Sequence, residues 1–150
     1  PLCPRCGGPQ ASGVVCPSCW GWQAEVDGIR SPFRFDGVAR QAILSLKYRN
    51  LKVISFPLAQ LMAEYFNTSP LPAEVLVPVP LHPHRVRERG YNQSSLLAHH
   101  LGKLIGLPVV DGYLTRLRDT PPQARSTTAE MRRGNVNNAF ACRHQTLAGD

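Results

Sequence analysis

The sequence predicts an α/β protein with a parallel sheet and a small cysteine-rich N-terminal module. Short apolar stretches alternate with amphipathic stretches of helical period, an order typical of strands joined by crossover helices. Four cysteines near the N-terminus form two closely spaced pairs, which is the arrangement of a structural zinc site. We therefore expect two units, a zinc-binding module over residues 1–28 and an α/β domain over residues 29–150.

The cysteine spacing specifies the predicted metal site. Cys3 and Cys6 form one C-x-x-C pair, and Cys16 and Cys19 form a second. Two such turns can close a tetrahedral four-sulfur site, which structural zinc prefers and which leaves no open position for catalysis. An iron centre is an alternative, and so are two disulfides or a redox pair. The disulfides would need an export signal, and a redox pair would need a βαβ context, and the sequence shows neither.

The remaining elements are predicted in order along the chain. Residues 29–35 are expected to form a strand with aromatic side chains on one face, and residues 38–48 a helix with an apolar stripe. A second helix is expected from near Pro57, followed by a buried strand over 75–79. Residues 94–105 are predicted to be a helix that ends at Gly106, and Val109-Val110 another strand. The lone Cys142 is expected to be buried.

The composition of the 150-residue chain indicates a folded protein with a basic ligand surface. Hydrophobic residues make up 43% and charged residues 18%, which excludes a disordered polyelectrolyte. The formal net charge is +7, and arginine outnumbers lysine 14 to 3. Base composition and a solvated face explain that ratio as well as a ligand does. However, eight Arg and one Lys face only four acidic residues between Arg85 and Arg133, which favours an anionic ligand: a nucleotide, a sugar phosphate or a nucleic acid.

The predicted localisation rests on two missing signals. No apolar run reaches the roughly 18 residues that a transmembrane helix needs, so we expect no membrane span. No basic stretch followed by an apolar core marks a secretory signal at the start of the sequence. The protein is therefore predicted to be cytoplasmic.

Residues 80–93 form the predicted anion site. They connect the strand over 75–79 to the helix that follows, so backbone amides, the helix dipole and arginine side chains are expected to meet at one place. The candidate anion-binding residues are His82, Arg85, Arg87, Arg89, Gly90, Asn92 and Gln93.

Several residues near this loop also have a structural interpretation. The three arginines alternate along the loop and need not all converge on one ligand. Asn92 could cap the following helix through its side-chain oxygen, and Tyr91 could belong to the core. Lys47 and Tyr48 lie at a helix end, where dipole compensation and packing explain them better than a catalytic pair does.

Taken together, the motifs resemble the ComF family, bacterial proteins that include competence protein F and GntX-like members and are similar to type I phosphoribosyltransferases. The resemblance rests on the two C-x-x-C pairs, Leu46-Lys47-Tyr48, Val77-Pro78-Val79-Pro80-Leu81, Arg89-Gly90-Tyr91-Asn92-Gln93, Gln123, Arg133-Gly134-Asn135-Val136 and Ala139-Phe140. It implies a phosphoribosyltransferase-type parallel sheet with an N-terminal zinc-ribbon-like module. It also links the chain to DNA uptake in natural competence.

The resemblance gives the basic loops expected roles. Residues 80–89 would hold the pyrophosphate of phosphoribosyl diphosphate (PRPP), which such enzymes bind with Mg²⁺, and their arginines would neutralise it as it leaves. Residues 114–133, polar and weakly periodic, would form a flexible loop that closes over the site. The loop residues expected to take part are Arg116, Arg118, Gln123 and Arg125. No catalytic residue is assigned.

One expected motif is missing from the sequence. Type I phosphoribosyltransferases carry a strand that ends in two adjacent acidic residues, followed by a Thr/Gly-rich turn that binds the 5′-phosphate. No adjacent acidic pair occurs here, and the sequence ends about where that strand would begin. We therefore expect a parallel sheet that is incomplete at its C-terminal side and a domain that is truncated before the PRPP-binding loop. On its own, this chain is expected to be inactive toward PRPP.

The alternative function is a non-catalytic adaptor of the competence machinery that binds single-stranded DNA or a protein. The basic charge favours this hypothesis. The aromatic content of 7% counts against it, because base stacking normally supplies much of the affinity for single strands.

Overall fold

The computed structural model describes residues 2–21, 26–122 and 126–143. Its helices and strands are α1 Gly37–Tyr48, α2 Ser55–Thr68, α3 Pro83–Arg89, α4 Gln93–Ile105, β1 Leu114–Arg116, α5 Ala129–Val136 and β2 Phe140–Cys142. Short 3₁₀ turns lie at Pro17–Cys19 and Lys52–Ile54. The architecture is mixed α/β with a separate cysteine cluster at its N-terminal end. In the ranges described, no helix is long and apolar enough to cross a membrane.

Helices α2 and α4 pack against each other and supply most of the core. One cluster joins Leu46 of α1 to Leu58 of α2 and Tyr91, and a second joins Ala59 and Ala63 of α2 to Leu101 of α4. The small alanine side chains allow α4 to approach α2 closely. The predicted helices are confirmed, with α2 beginning two residues before Pro57.

Gly102 permits an equally close contact between α4 and the chain that follows it. A Cβ atom at this position would lie 2.6 Å from the Leu107 carbonyl oxygen and 2.8 Å from Cγ2 of Val109. Only a hydrogen atom fits there. This contact keeps residues 107–109 against α4, beside the segment that contains Leu76.

Gly102→Ala is expected to lower the free energy of unfolding by about 1–3 kcal/mol, because backbone must move to admit the methyl group. Thermal denaturation followed by circular dichroism measures the effect. Gly134→Ala is the matched control, since a Cβ atom there meets nothing within 4 Å. If the two variants had the same melting temperature, the claim that no methyl group fits at Gly102 would be wrong.

Parallel pairing is confined to one bridge in the part of the chain that the structure describes. Leu76 N–H donates to the Pro108 carbonyl at 2.9 Å, and Val110 N–H donates to the Leu76 carbonyl at 2.9 Å. The predicted strands 75–79 and 109–110 are thus neighbours and parallel, as a crossover through α4 requires. Among the described residues, this parallel pairing does not extend beyond the one bridge. The predicted strand over 29–35 was wrong, because no neighbouring strand accepts its backbone hydrogen bonds among the described residues.

The regular sheet of the described chain is an antiparallel pair formed by β1 and β2. Leu114 pairs with Cys142 and Arg116 pairs with Phe140, with α5 in the connection between the strands. We call residues 114–122 and 126–143 the arm. The prediction that Cys142 is buried was wrong: its side chain is exposed, at the last residue of a sheet that has two strands in the described ranges.

Candidate metal centre and basic cleft

The four N-terminal cysteines converge as their spacing predicts. The Sγ atoms of Cys3, Cys6, Cys16 and Cys19 all lie within 4.8 Å of one another, and every cysteine of the chain is a free thiol. The Cys6 and Cys16 sulfurs are 3.8 Å apart, about the edge of a tetrahedron with Zn–S bonds of about 2.3 Å. The cluster can therefore hold a metal ion such as zinc.

Backbone hydrogen bonds of the chain itself shape the cluster. Gly7 N–H donates to the Cys3 carbonyl at 2.9 Å, and the positive φ of Gly7, 69°, lets the chain turn sharply there. Cys16 N–H donates to the Cys3 sulfur and Gly8 N–H to the Cys6 sulfur, both at 3.4 Å. Such amide–sulfur contacts favour thiolates, the form that binds metal.

The thiols of the metal-free cluster differ in their pKa values. Backbone N–H groups of Cys6 and Cys16 lower the pKa of Cys3 to about 6. Burial raises the pKa of Cys19 to about 12, helped by the neighbouring Cys16 and Cys6 sulfurs. Metal binding must therefore displace the proton of Cys19 at neutral pH. The metal affinity should fall as the pH falls, because more of the thiolates are then protonated.

The first cysteine turn is attached to the chain that leads into the helical domain. Ile29 N–H donates to the Arg5 carbonyl at 2.6 Å, and the Arg30 guanidinium donates to the Pro4 carbonyl at 2.8 Å. These contacts extend just past the predicted boundary at residue 28.

The predicted loop over residues 80–93 contains helix α3, which was not predicted from the sequence pattern. Pro83 occupies its first turn, the His82 ring accepts a hydrogen bond from His84 N–H at the N-cap, and Gly90 ends it with a φ of 79°. Pro near the start and Gly just beyond the end are the usual helix signals, but seven residues gave no apolar period to detect.

Helical geometry decides which of the loop arginines converge. Arg85 and Arg89 are four residues apart and lie on the same face of α3. Arg87 lies on the opposite face and is exposed to solvent. The three alternating arginines therefore do not act as one set.

A basic cleft forms where α1, α3, the start of α4 and the arm meet. It consists of two adjoining cavities of about 300 and 230 Å³, both lined by Lys47, Tyr48, Arg85 and Arg89. The remaining lining residues are Asn50 and Glu88 in the larger cavity, and Leu81, Gln93, Arg116, Thr120, Pro121 and Pro122 in the smaller one. Four cationic side chains thus share one space with a single lining carboxylate.

The other predicted anion-binding residues have structural contacts. Asn92 accepts from Ser94 N–H at 3.0 Å and donates to the Val79 carbonyl at 3.0 Å, so it caps α4 and ties that helix to residue 79. Gly90 ends α3. The His82 ring lies 3.9 Å from the Asp119 carboxylate, in contact with the arm rather than lining the cleft.

Of the residues predicted for the flexible loop, one lines the cleft and another makes structural contacts elsewhere. Arg116 lines the cleft, with its guanidinium 5.3 Å from the Phe140 ring centroid. Arg118 donates to the Gly134 and Asn137 carbonyls, at the C-terminal end of α5. Gln123 and Arg125 lie outside the described residues.

The charges of the cleft are held close together. The Arg116 guanidinium donates to the Thr120 hydroxyl at 2.6 Å, and its pKa lies below the ordinary value because of burial and the nearby Arg85 charge. Arg85 donates to the Thr120 carbonyl at 3.2 Å and lies 3.5 Å from the Asp119 carboxylate. Like charges in a partly desolvated space repel each other, so an anion bound between them would be stabilised.

Asp119 joins the arm to α3. Its carboxylate lies 3.0 Å from Nδ1 of His84, in addition to the contacts with His82 and Arg85. Partial desolvation raises the pKa of Asp119, but the charges of His82, His84 and Arg85 and the His84 hydrogen bond outweigh it and lower the pKa. Asp119 is thus an internal anion at the edge of the cleft.

Lys47 and Tyr48 line the cleft, although their position at a helix end predicted dipole compensation and packing. Helical periodicity carries no signal for a role in the cleft, since they lie at the end of α1, far along the chain from Arg85; their signal in the sequence is the Leu46-Lys47-Tyr48 motif of the family resemblance. Their position is fixed by the core: the hydroxyl of the buried Tyr91 donates to the Leu46 carbonyl, one residue before Lys47. The core interpretation of Tyr91 is therefore confirmed.

The chain is similar to bacterial proteins named for competence and for DNA utilization. Competence protein ComFC of Bacillus subtilis (strain 168) is 29% identical over 116 residues, which are 73% of this chain and 48% of that protein. Competence protein F of Haemophilus influenzae is 38% identical over 68 residues, 45% of this chain and 29% of that protein. The DNA utilization protein YhgH of Salmonella typhi is 31% identical over 152 aligned residues, 93% of this chain and 63% of that protein.

The chain spans less than two thirds of the length of each of these relatives. No protein-family model and no solved structure matches it.

Proposed function

Because the chain belongs to the ComF family, we propose that it acts in DNA uptake or utilisation and binds a phosphorylated ligand, such as PRPP, in its basic cleft. The names of the relatives, which refer to competence and DNA utilization, support the first part. The convergence of Lys47, Arg85, Arg89 and Arg116 on one space supports the second.

The chemistry of the cleft suits a ligand with several negative charges, such as a phosphate or pyrophosphate, because four cationic side chains line it with a single carboxylate. Guanidinium groups bind phosphate oxygens through two parallel hydrogen bonds, and such charge-assisted bonds are roughly twice as strong as neutral ones. The smaller cavity also reaches Gln93 in the first turn of α4, where backbone N–H groups without helical partners and the helix dipole favour an anion. Together, these groups can neutralise the two or more charges of a pyrophosphate.

The remaining parts of the proposal concern the domain and its metals. Residues 29–150 would be a phosphoribosyltransferase-like domain, and the parallel contact of Leu76 with Val109 across α4 supports this assignment. Mg²⁺ would accompany PRPP as its counter-ion. Zinc would occupy the cysteine cluster in a structural role, since all four positions are filled by protein sulfur.

An adaptor that binds single-stranded DNA is the second candidate. The low aromatic content of the sequence counted against this function, but one observation favours it. Tyr48 places an exposed aromatic ring inside the basic cleft, where a base could stack. Charge without stacking would give weak binding that disappears steeply with salt.

Calorimetric titration tests the two candidates. The chain is titrated with pyrophosphate and with PRPP, each with and without Mg²⁺, and with a short single-stranded DNA, all at low and at elevated salt. Sulfate at matched ionic strength is the control for non-specific anion binding. PRPP binding that persists at elevated salt favours the phosphoribosyltransferase-like function, and salt-resistant DNA binding favours the adaptor. Failure of pyrophosphate to bind more tightly than sulfate would refute the proposed phosphate site.

Asp119→Asn is expected to strengthen pyrophosphate binding by roughly three- to tenfold, because it removes a negative charge that pairs with Arg85. The gain should persist from neutral pH down to about pH 4. The pKa of Asp119 lies below its ordinary value, so wild type keeps the competing carboxylate throughout that range and loses it only as the pH falls further.

The matched control is Asp111→Asn, the same change at a carboxylate that binds Ser95 and His99 rather than the cleft. Its effect on pyrophosphate affinity should stay within twofold at moderate salt. An equal gain in both variants would mean that net charge alone governs the affinity.

A further inference from the structure

Tyr48 presents an exposed aromatic ring at the centre of the basic cleft. The residue is 61% exposed and lines both adjoining cavities. The Arg89 guanidinium carbon lies 5.6 Å from the ring centroid, and the same guanidinium donates to the Gln93 side-chain oxygen. Arg89 therefore packs over the ring while much of the ring surface remains open to a ligand.

The Tyr48 ring lies outside the core, but the backbone just before it is anchored in the core. Leu46, two residues earlier, is 1% exposed, and its carbonyl accepts the hydroxyl of the buried Tyr91. The backbone that carries Tyr48 is thus fixed before a ligand arrives. A rigid aromatic surface with two rotatable side-chain bonds loses little conformational entropy on binding.

The two cavities that this ring lines differ in chemistry. The smaller one contains Gln93 and Arg116, which suit phosphate oxygens. The larger one contains Asn50 and Glu88. The Glu88 carboxylate disfavours a second phosphate there and accepts hydrogen bonds from N–H groups, while the Asn50 amide both donates and accepts. Hydrogen-bonding groups of this kind match the edge of a nucleobase.

We propose that the cleft takes a nucleotide, with its phosphates between Arg85 and Arg116 and its base stacked on Tyr48 beside Glu88. This inference rests on the phosphate site proposed above and adds the ligand class. Stacking on an aromatic side chain typically changes affinity by about tenfold or more. A nucleoside diphosphate should therefore bind more tightly than pyrophosphate, which has no base.

The test compares ADP with pyrophosphate for wild type, Tyr48→Ala and Tyr48→Phe, by calorimetry at constant ionic strength. Tyr48→Ala is expected to weaken ADP binding about tenfold more than it weakens pyrophosphate binding, because stacking involves only the base. Tyr48→Phe keeps the ring and should retain ADP binding. A second readout is the emission of a fluorescent adenine analogue of ADP, which falls on stacking; Tyr48→Ala should abolish that decrease. Unchanged melting temperatures show that the variants fold.

The outcomes separate this inference from the phosphate site. Pyrophosphate binding without tighter ADP binding in the wild type would overturn the nucleotide assignment and leave the phosphate site intact. Equal loss of both ligands in Tyr48→Ala would also overturn it, because the ring would then act only by holding Arg89. If the wild type bound neither ligand, the proposed phosphate site would fail, and the nucleotide assignment with it.

Discussion

Treatment with a strong chelator is expected to remove the proposed zinc ion, to unfold residues 2–21 and to leave the helices of the chain in place. The N-terminal segment has little else to hold it together. Its buried residues in the described chain are Cys3 and Cys19, whereas Leu2, Val14 and Trp20 are 52%, 58% and 84% exposed. Metal binding contributes about 10–16 kcal/mol to the folding of zinc-finger peptides, far more than these contacts can supply.

Thiol reactivity measures this transition directly. In the metal-bound protein a thiol reagent should modify one cysteine rapidly, the exposed Cys142. After chelation all five cysteines of the chain should react. Metal analysis should give about one zinc per chain before treatment, and the far-UV circular dichroism should change little. Five rapidly reacting thiols before chelation would contradict the metal site.

A pair of matched variants separates the metal site from general effects of losing a thiol. Cys3→Ser removes a ligand and should abolish stoichiometric zinc. Cys142→Ser should keep the zinc and lose only the rapidly reacting thiol. Zinc retention should also decrease on acidification, because protons compete with the metal for the four sulfurs.

The cysteine cluster could be predicted completely from the sequence because its geometry is local. Two C-x-x-C pairs fix the position of each sulfur within one turn, and a tetrahedral ion needs no further information. The helices α1, α2 and α4 were also predictable, since their apolar residues recur with helical period over at least twelve residues. Such signals depend on neighbours in the sequence.

The basic cleft could be predicted only in part because it depends on contacts between distant segments. The sequence places Arg85, Arg87 and Arg89 together, but the unpredicted helix α3 turns Arg87 to the opposite side. Tyr48 enters through the packing of α1 on Tyr91, which no local pattern reveals. The predicted strands likewise depend on partners: Leu76 pairs with Val109 at one bridge, and residues 29–35 have no partner strand among the described residues.

Arg85→Ala is expected to weaken pyrophosphate binding by about 10- to 100-fold, whereas Arg87→Ala should change it by less than about threefold. A hydrogen bond to a charged group contributes about 1.5–3 kcal/mol, and Arg85 lines both cavities of the cleft with its side chain 25% exposed. Arg87 acts only through a screened charge on the far side of α3. Titration of both variants at one ionic strength measures the difference.

The comparison decides between a built anion site and a generally basic surface, because the two substitutions remove the same charge from the same helix, two residues apart. Arg85 also contacts Asp119 and the Thr120 carbonyl, so the melting temperature of each variant is needed to show that the arm remains in place. Arg85→Lys keeps the charge but not the paired hydrogen bonds, and should recover only part of the affinity. Equal weakening by Arg85→Ala and Arg87→Ala would mean that the arginines form a solvated basic face rather than a binding site.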